Sequence, residues 1–221
     1  MNIENQLKLS RMALEDRNGD EALSHISKIL EIDAENANAW LMKGTATAFI
    51  TKGIDIDLRY QEAISCFTRA ESLGYPAEEL KIKRDEVKEL FRDFYCTLGS
   101  QSWNSAVSLA NVNASAGFGG YERAGEFPNK ALAYYEHALE IEPMYQLALT
   151  SIIHIKKELG QIESAAPYIE RMRQLNHEYV PPSNRSPILT NDFGTNATSI
   201  LVGIVSILIV IYLFIMVAKR K

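Results

Sequence analysis

Cysteine is scarce in this chain. Cys66 and Cys96 are the only two in 221 residues, and both lie in apolar helical contexts, AISCF and DFYCTL. Two sulfur ligands cannot complete a four-ligand zinc site, so they read as buried, reduced thiols. A basic block is missing as well. Before the last three residues there are 20 basic side chains against 28 acidic ones, a net charge of −8. That balance excludes nucleic acid, whose phosphates are neutralised by clustered Lys and Arg, and disfavours adhesion to anionic lipid. Histidine is sparse: His25, His137, His154 and His177 sit on separate helices or helix ends, none with a second ligand at metal spacing. The loop GIDIDLRY places Asp55 and Asp57 two apart, but a calcium loop needs more oxygens and a downstream Glu. The glycines of GFGGYERAG lack the Gly-Lys-Ser/Thr ending of a phosphate-binding loop and a strand before it. No Gly-x-Ser-x-Gly elbow and no catalytic Cys/His spacing occurs. The expectation is a protein that is no enzyme and has no cofactor, metal or small-molecule substrate. The opening residues, MNIENQLKLSRMALEDRNGD, are polar and partly acidic, unlike a signal peptide.

Against these absences stands one long apolar run. From Ala197 to Ala218 there is no charged residue, and Lys219, Arg220 and Lys221 follow. Twenty-two residues at about 1.5 Å each give a helix of roughly 33 Å, the thickness of a bilayer's hydrocarbon core. We read 197–218 as a single transmembrane helix and 219–221 as a basic tail. The preceding segment 180–196, containing VPPSNRSPILTNDFGTN, reads as a flexible linker with a reach of about 20–25 Å.

The remaining residues, 1–179, contain segments that repeat. GDEALSHISKILEIDAENANAW from Gly19 and NKALAYYEHALEIEPMYQLAL from Asn129 share a frame, which QEAISCFTRAESLGYP and ESAAPYIERMRQLNHEY also fit. Alignment puts Ala22, Ala63, Ala131 and Ala165 in one role. Four residues on come Ile26, Phe67, Tyr135 and Ile169, and three further Ile29, Ala70, Ala138 and Met172. Steps of four and three keep one helix face apolar.

The pattern resembles the tetratricopeptide repeat (TPR) family, whose 34-residue unit is a pair of antiparallel helices. Ala131 to Ala165 is one such period; Pro143, Gly160, Trp40 and Gly44 occupy family-like positions. The first unit departs from it, with Gln6, Ser10 and Ala34 where the pattern wants its tryptophan, glycine and proline. The resemblance implies an all-α superhelical array, followed here by the transmembrane helix. Two interruptions are expected as long loops, near 51–59 and 117–129. The segment 78–98 reads as an amphipathic helix with Leu80, Val87, Leu90, Phe91 and Phe94 apolar, stopped by Gly99, and SWNSAVSLANVNAS as a further helix, nine in all. Either 78–98 packs as a full layer or it merges with the next segment into one bent helix.

In such arrays a concave surface made by the first helix of each pair binds extended peptides or helices. The resemblance places Leu7, Arg11, Asn38, Leu41, Thr45, Phe49 and His154 on that surface. The subtype that grips a chaperone's terminal carboxylate is excluded, because Leu7, Arg11 and Met42 stand where Lys, Asn and Asn are required. The glycine-rich loop 117–129 carries Phe118, Tyr121, Arg123 and Phe127, an aromatic and arginine mixture favoured at binding hot spots. It is the preferred contact site. The functional expectation is a membrane-anchored scaffold or adaptor for protein partners, touching lipid through its one span. The alternative is a subunit of a membrane transport or assembly complex, whose span packs on partner helices through Ser199 and Gly203. The basic tail favours a cytoplasmic C-terminus. Passing three charges outward costs about 7 kcal/mol at 100 mV, which the span's insertion nearly offsets. Exporting about 190 residues would need a targeting signal, so the repeats are expected to face the cytoplasm with the C-terminus opposite.

Overall fold

The computed structural model describes residues 2–50, 55–117, 120–121 and 124–181. The expected linker beyond Pro181, the transmembrane segment and the tail lie outside the described residues. Among those described, every regular element is helical, and no helix is long and apolar enough to cross a membrane.

Eight α-helices follow in order: α1 Ile3–Glu15, α2 Gly19–Ile32, α3 Ala37–Ala48, α4 Ile56–Ser72, α5 Ala77–Ser115, α6 Phe127–Ile141, α7 Gln146–Glu158 and α8 Ala166–Leu175. A short 3-10 turn, Ile162–Ala165, leads into α8. The starts are written in side chains that satisfy otherwise unpaired amides. Asn2, Asn18, Asn36 and Asp55 accept from the backbone N–H groups of Glu4, Glu21, Ala39 and Asp57 at 2.8–3.2 Å. Gly74, Gly117 and Gly160 end α4, α5 and α7 with positive φ, a conformation open to residues without a Cβ.

Consecutive helices form antiparallel hairpins. In α3 and α4, Lys43 pairs with Glu62 at 3.2 Å, and Ala48 accepts from Arg59 at 2.8 Å. In α7 and α8, Thr150 meets Met172 and the Lys156 ammonium lies 5.8 Å from the Tyr168 ring. The aligned apolar positions turn inward: Ala22, Ala63, Ala131 and Ala165 are fully buried, as are Ile26, Phe67, Ile29, Ala70 and Ala138. Tyr135 and Met172 are nearly so, and Ile169 is half-buried. The smaller core cluster joins α1, α2 and α3 around Ile26, Ile29 and Met42. The larger one runs from Leu41 through Phe67, Phe91 and Tyr135 to Ile152 and Met172.

The expected stop at Gly99 does not occur. α5 runs through it, 39 residues in all, so the described chain has eight α-helices where nine were expected, and they form four hairpins. Gly99 is buried, and a Cβ there would lie 2.9 Å from the Tyr135 ring. Gly44 stands in the same relation to Phe67, also at 2.9 Å. A residue that weakens an isolated helix is retained because it lets α6 approach α5 closely. Phe94, expected on the buried face, is instead 36% exposed.

The length of α5 spreads its partners along it. Its first half packs against α4, through Arg84 with Glu71 at 2.7 Å and the rings of Phe91 and Tyr60 at 5.2 Å. Its second half packs against α6, with Gly99 on Tyr135 and Ser100 hydrogen-bonded to the Tyr135 hydroxyl at 2.8 Å. The two meet near Tyr95, whose hydroxyl donates to Asp57 of α4 while its ring lies 5.3 Å from His137 of α6.

Candidate functional site

Three aromatic rings meet where α5, α7 and the loop before α6 come together. Trp103 projects from α5, and Tyr121 stacks on it with ring centroids 5.1 Å apart and planes 16° from parallel. His154 of α7 meets the same indole edge-on at 6.0 Å. Trp103 and Tyr121 are half-buried and His154 is exposed, so the cluster presents ring surface to solvent. Burial, then the nearby Glu158 carboxylate, pushes the Tyr121 hydroxyl above its ordinary pKa, and it stays a neutral donor. Aromatic side chains bring large contact area and few rotors, which suits them to holding a partner.

This arrangement unites residues that the sequence placed in two separate sites. His154 belonged to the expected groove and Tyr121 to the expected loop; tertiary packing sets both on Trp103. Phe127, the first residue of α6, is 38% exposed. Phe118 and Arg123 lie outside the described residues. Within SWNSAVSLANVNAS, Trp103 reads from the sequence alone as one residue of a helix. Its signal in the sequence is a large aromatic ring in a stretch, Thr97 to Tyr121, that has no charged residue.

The other expected contact residues divide by burial. Leu41 is 7% exposed and belongs to the larger core cluster, so it holds the fold and offers no contact surface. Leu7 is half-buried against the smaller cluster, and Arg11 is exposed on the same helix. Asn38 and Thr45 are half-buried on α3, and the Thr45 hydroxyl donates to the Leu41 carbonyl at 3.2 Å. Phe49 caps the end of α3, with the Arg17 guanidinium 5.9 Å from its ring.

A polar lattice supports the first half of α5. Arg92 donates to Asp93 and Glu142 and lies 4.2 Å from the Tyr145 ring centroid. Burial works against its charge, but the two carboxylates outweigh it and hold the guanidinium more firmly protonated than usual. Tyr145 in turn donates to Asp93 at 3.2 Å. Burial, and then the hydrogen bond to Asp57, raises the Tyr95 hydroxyl well above the ordinary tyrosine range. Asp55, beside it, caps α4 with the side-chain oxygen a cation would need. Among the described residues no group of three or more His, Cys, Asp or Glu is placed to hold a metal ion. No protein-family model and no curated protein matches the chain.

Proposed function

We propose that the chain is a membrane-tethered scaffold built of TPR-like helical hairpins, which holds a protein partner on the face formed by α5, α7 and the loop ahead of α6. Trp103, with Tyr121 and His154 set around it, is the observation that carries the reading. A solvent-facing aromatic cluster costs the free protein hydration, which a partner's peptide or helix relieves by covering it. Charge agrees with this. The part before the apolar run is acidic, which favours protein partners over nucleic acid. Cys66 and Cys96 are buried free thiols, the state that a reducing compartment such as the cytoplasm maintains.

Site-specific photocrosslinking in native membranes tests the reading. A benzophenone side chain placed at Phe127 of the full chain is expected to capture a discrete partner, and one placed at the more exposed Ile32 of α2 is not. Trp103→Ala is expected to abolish the adduct while helix content by circular dichroism stays unchanged. Equal capture at both positions, or capture that survives Trp103→Ala, overturns the proposal.

A further inference from the structure

The two halves of α5 differ sharply in charge. From Glu78 to Asp93 the helix carries eleven charged side chains, whereas from Thr97 to Ser115 it carries none. The second half is nonetheless exposed along one side: Thr97, Gln101, Ser105, Ser108, Val112 and Ser115 face solvent at steps of three and four. Val112 is 60% exposed and Leu109, at the edge, 36%. A helix that keeps a permanently wet face ordinarily carries charges there, as the first half does with its Lys83–Glu86 pair at 2.8 Å. Serine and threonine are also weak helix formers, so solvent exposure alone gives no reason for them.

Three hydroxyls of this face are already satisfied within the helix. Thr97, Ser105 and Ser115 turn their hydroxyls back onto the helix, donating to the carbonyls of Asp93, Gln101 and Val112 at 2.9, 3.0 and 2.7 Å. Covering the face therefore strands none of these three donors away from water, the penalty that normally opposes burying hydroxyls.

We infer that the exposed side of α5 from Thr97 to Ser115 is an interface between two copies of this chain, the two helices crossing antiparallel on a twofold axis near Ser105 and Ser108. Charge selects a second copy over a foreign protein. A foreign partner can approach an acidic protein with basic residues of its own and has no need of a neutral face. Two identical acidic chains repel each other wherever they carry charge, and an uncharged face is self-complementary. The pattern suits such an axis: antiparallel pairing about Ser105 and Ser108 sets Thr97 against Ser115 and Gln101 against Val112 of the other copy. Nineteen residues make a strip about 28 Å long and roughly 10 Å wide. Two facing strips of that size cover roughly 560 Å² together, the range of a weak, transient contact. The contact is thus reversible in solution.

Cysteine crosslinking of the full chain tests this. Ser108→Cys is compared with Ser72→Cys, at another exposed serine, on α4, each treated with a short bis-maleimide both as purified protein and in expression-host membranes. The native thiols are buried. The expected result is a product of twice the 24.8 kDa chain mass from Ser108→Cys alone. Val112→Glu added to it should lower the yield at least tenfold, with helix content unchanged. If that variant loses helicity, Gln101→Glu replaces it and is held to the same expectation. Equal crosslinking of the two cysteine variants, no product from the purified protein, undiminished yield in a folded glutamate variant, or a product in membranes of any mass other than two chains overturns the inference. Because the scaffold reading rests on Trp103, which is half-buried and not one of the residues of this strip, failure here leaves that reading standing.

Discussion

Replacing Gly99 by alanine decides between two accounts of that residue, because they predict opposite signs. As a mere helix interruption, Gly99 weakens α5, and alanine should stabilise the protein by about 1 kcal/mol through helix propensity. The packing gives the contrary result. The new Cβ would lie 2.9 Å from Cε2 and Cζ of Tyr135 and 3.0 Å from Cδ2, closer than real Cβ atoms come. The ring has little room to retreat, being 4% exposed with its hydroxyl tied to Ser100 at 2.8 Å. Overpacking of a tight core costs about 1–3 kcal/mol. Subtracting the propensity gain leaves a net loss of about 1 kcal/mol, or roughly 2–4 °C in Tm for a domain of this size. Gly19 provides a yardstick, since a Cβ there would meet backbone, at 2.5 Å from the Ala46 carbonyl oxygen and 2.7 Å from the Phe49 carbonyl carbon. Backbone yields less than a side chain, and alanine at the first position of α2 gains little propensity, so Gly19→Ala should cost about 3 kcal/mol or more. Urea unfolding of the full chain in mild detergent, followed by tryptophan fluorescence, measures both, because Trp40 and Trp103 both lie in the described helices. In a Tyr135→Leu background the cost of Gly99→Ala should shrink. A higher urea midpoint for Gly99→Ala than for the native chain would refute the close-approach argument.

Alkaline pH should destabilise the fold. Burial raises the tyrosine hydroxyls of Tyr60, Tyr95 and Tyr168, the last pushed to about 12. An acid whose folded pKa is raised contributes stability that is complete below its unfolded value near 10 and is lost as pH climbs past it. The urea midpoint should therefore hold to about pH 9 and fall steeply between about 10 and 12. Tyr95→Phe removes a hydrogen bond to a carboxylate. It should lower the midpoint at pH 8 by the equivalent of about 1–2 kcal/mol and soften the alkaline fall; an unchanged slope would count against the assignment. Burial also pushes the Cys66 and Cys96 thiols up to about 11. An aromatic disulfide reagent at pH 8 should react with fewer than about one in ten native thiols in the first minute and with both after denaturation; prompt reaction in the native state would contradict their burial.

The sequence by itself determined where most helices lie and which faces are buried. Steps of three and four among apolar residues are a local property of one helix, and the caps Asn18, Asn36 and Asp55 act within three residues of themselves. The alignment of Ala22, Ala63, Ala131 and Ala165 is legible for the same reason. A small residue suits a position where two helices pack, and all four are fully buried. Tertiary structure decided what depends on partners distant in the chain. Glycine at position 99 reads as a stop when only its neighbours are considered, because its intrinsic helix preference is poor. The Tyr135 ring, 36 positions away, turns that absence of a side chain into an advantage and carries α5 through. Leu41 likewise reads as one position on an open helix face until α4 and α5 close around it. The aromatic cluster follows the same rule. Trp103, Tyr121 and His154 carry no shared spacing, and only the docking of α7 beside the long helix α5 brings the three rings together.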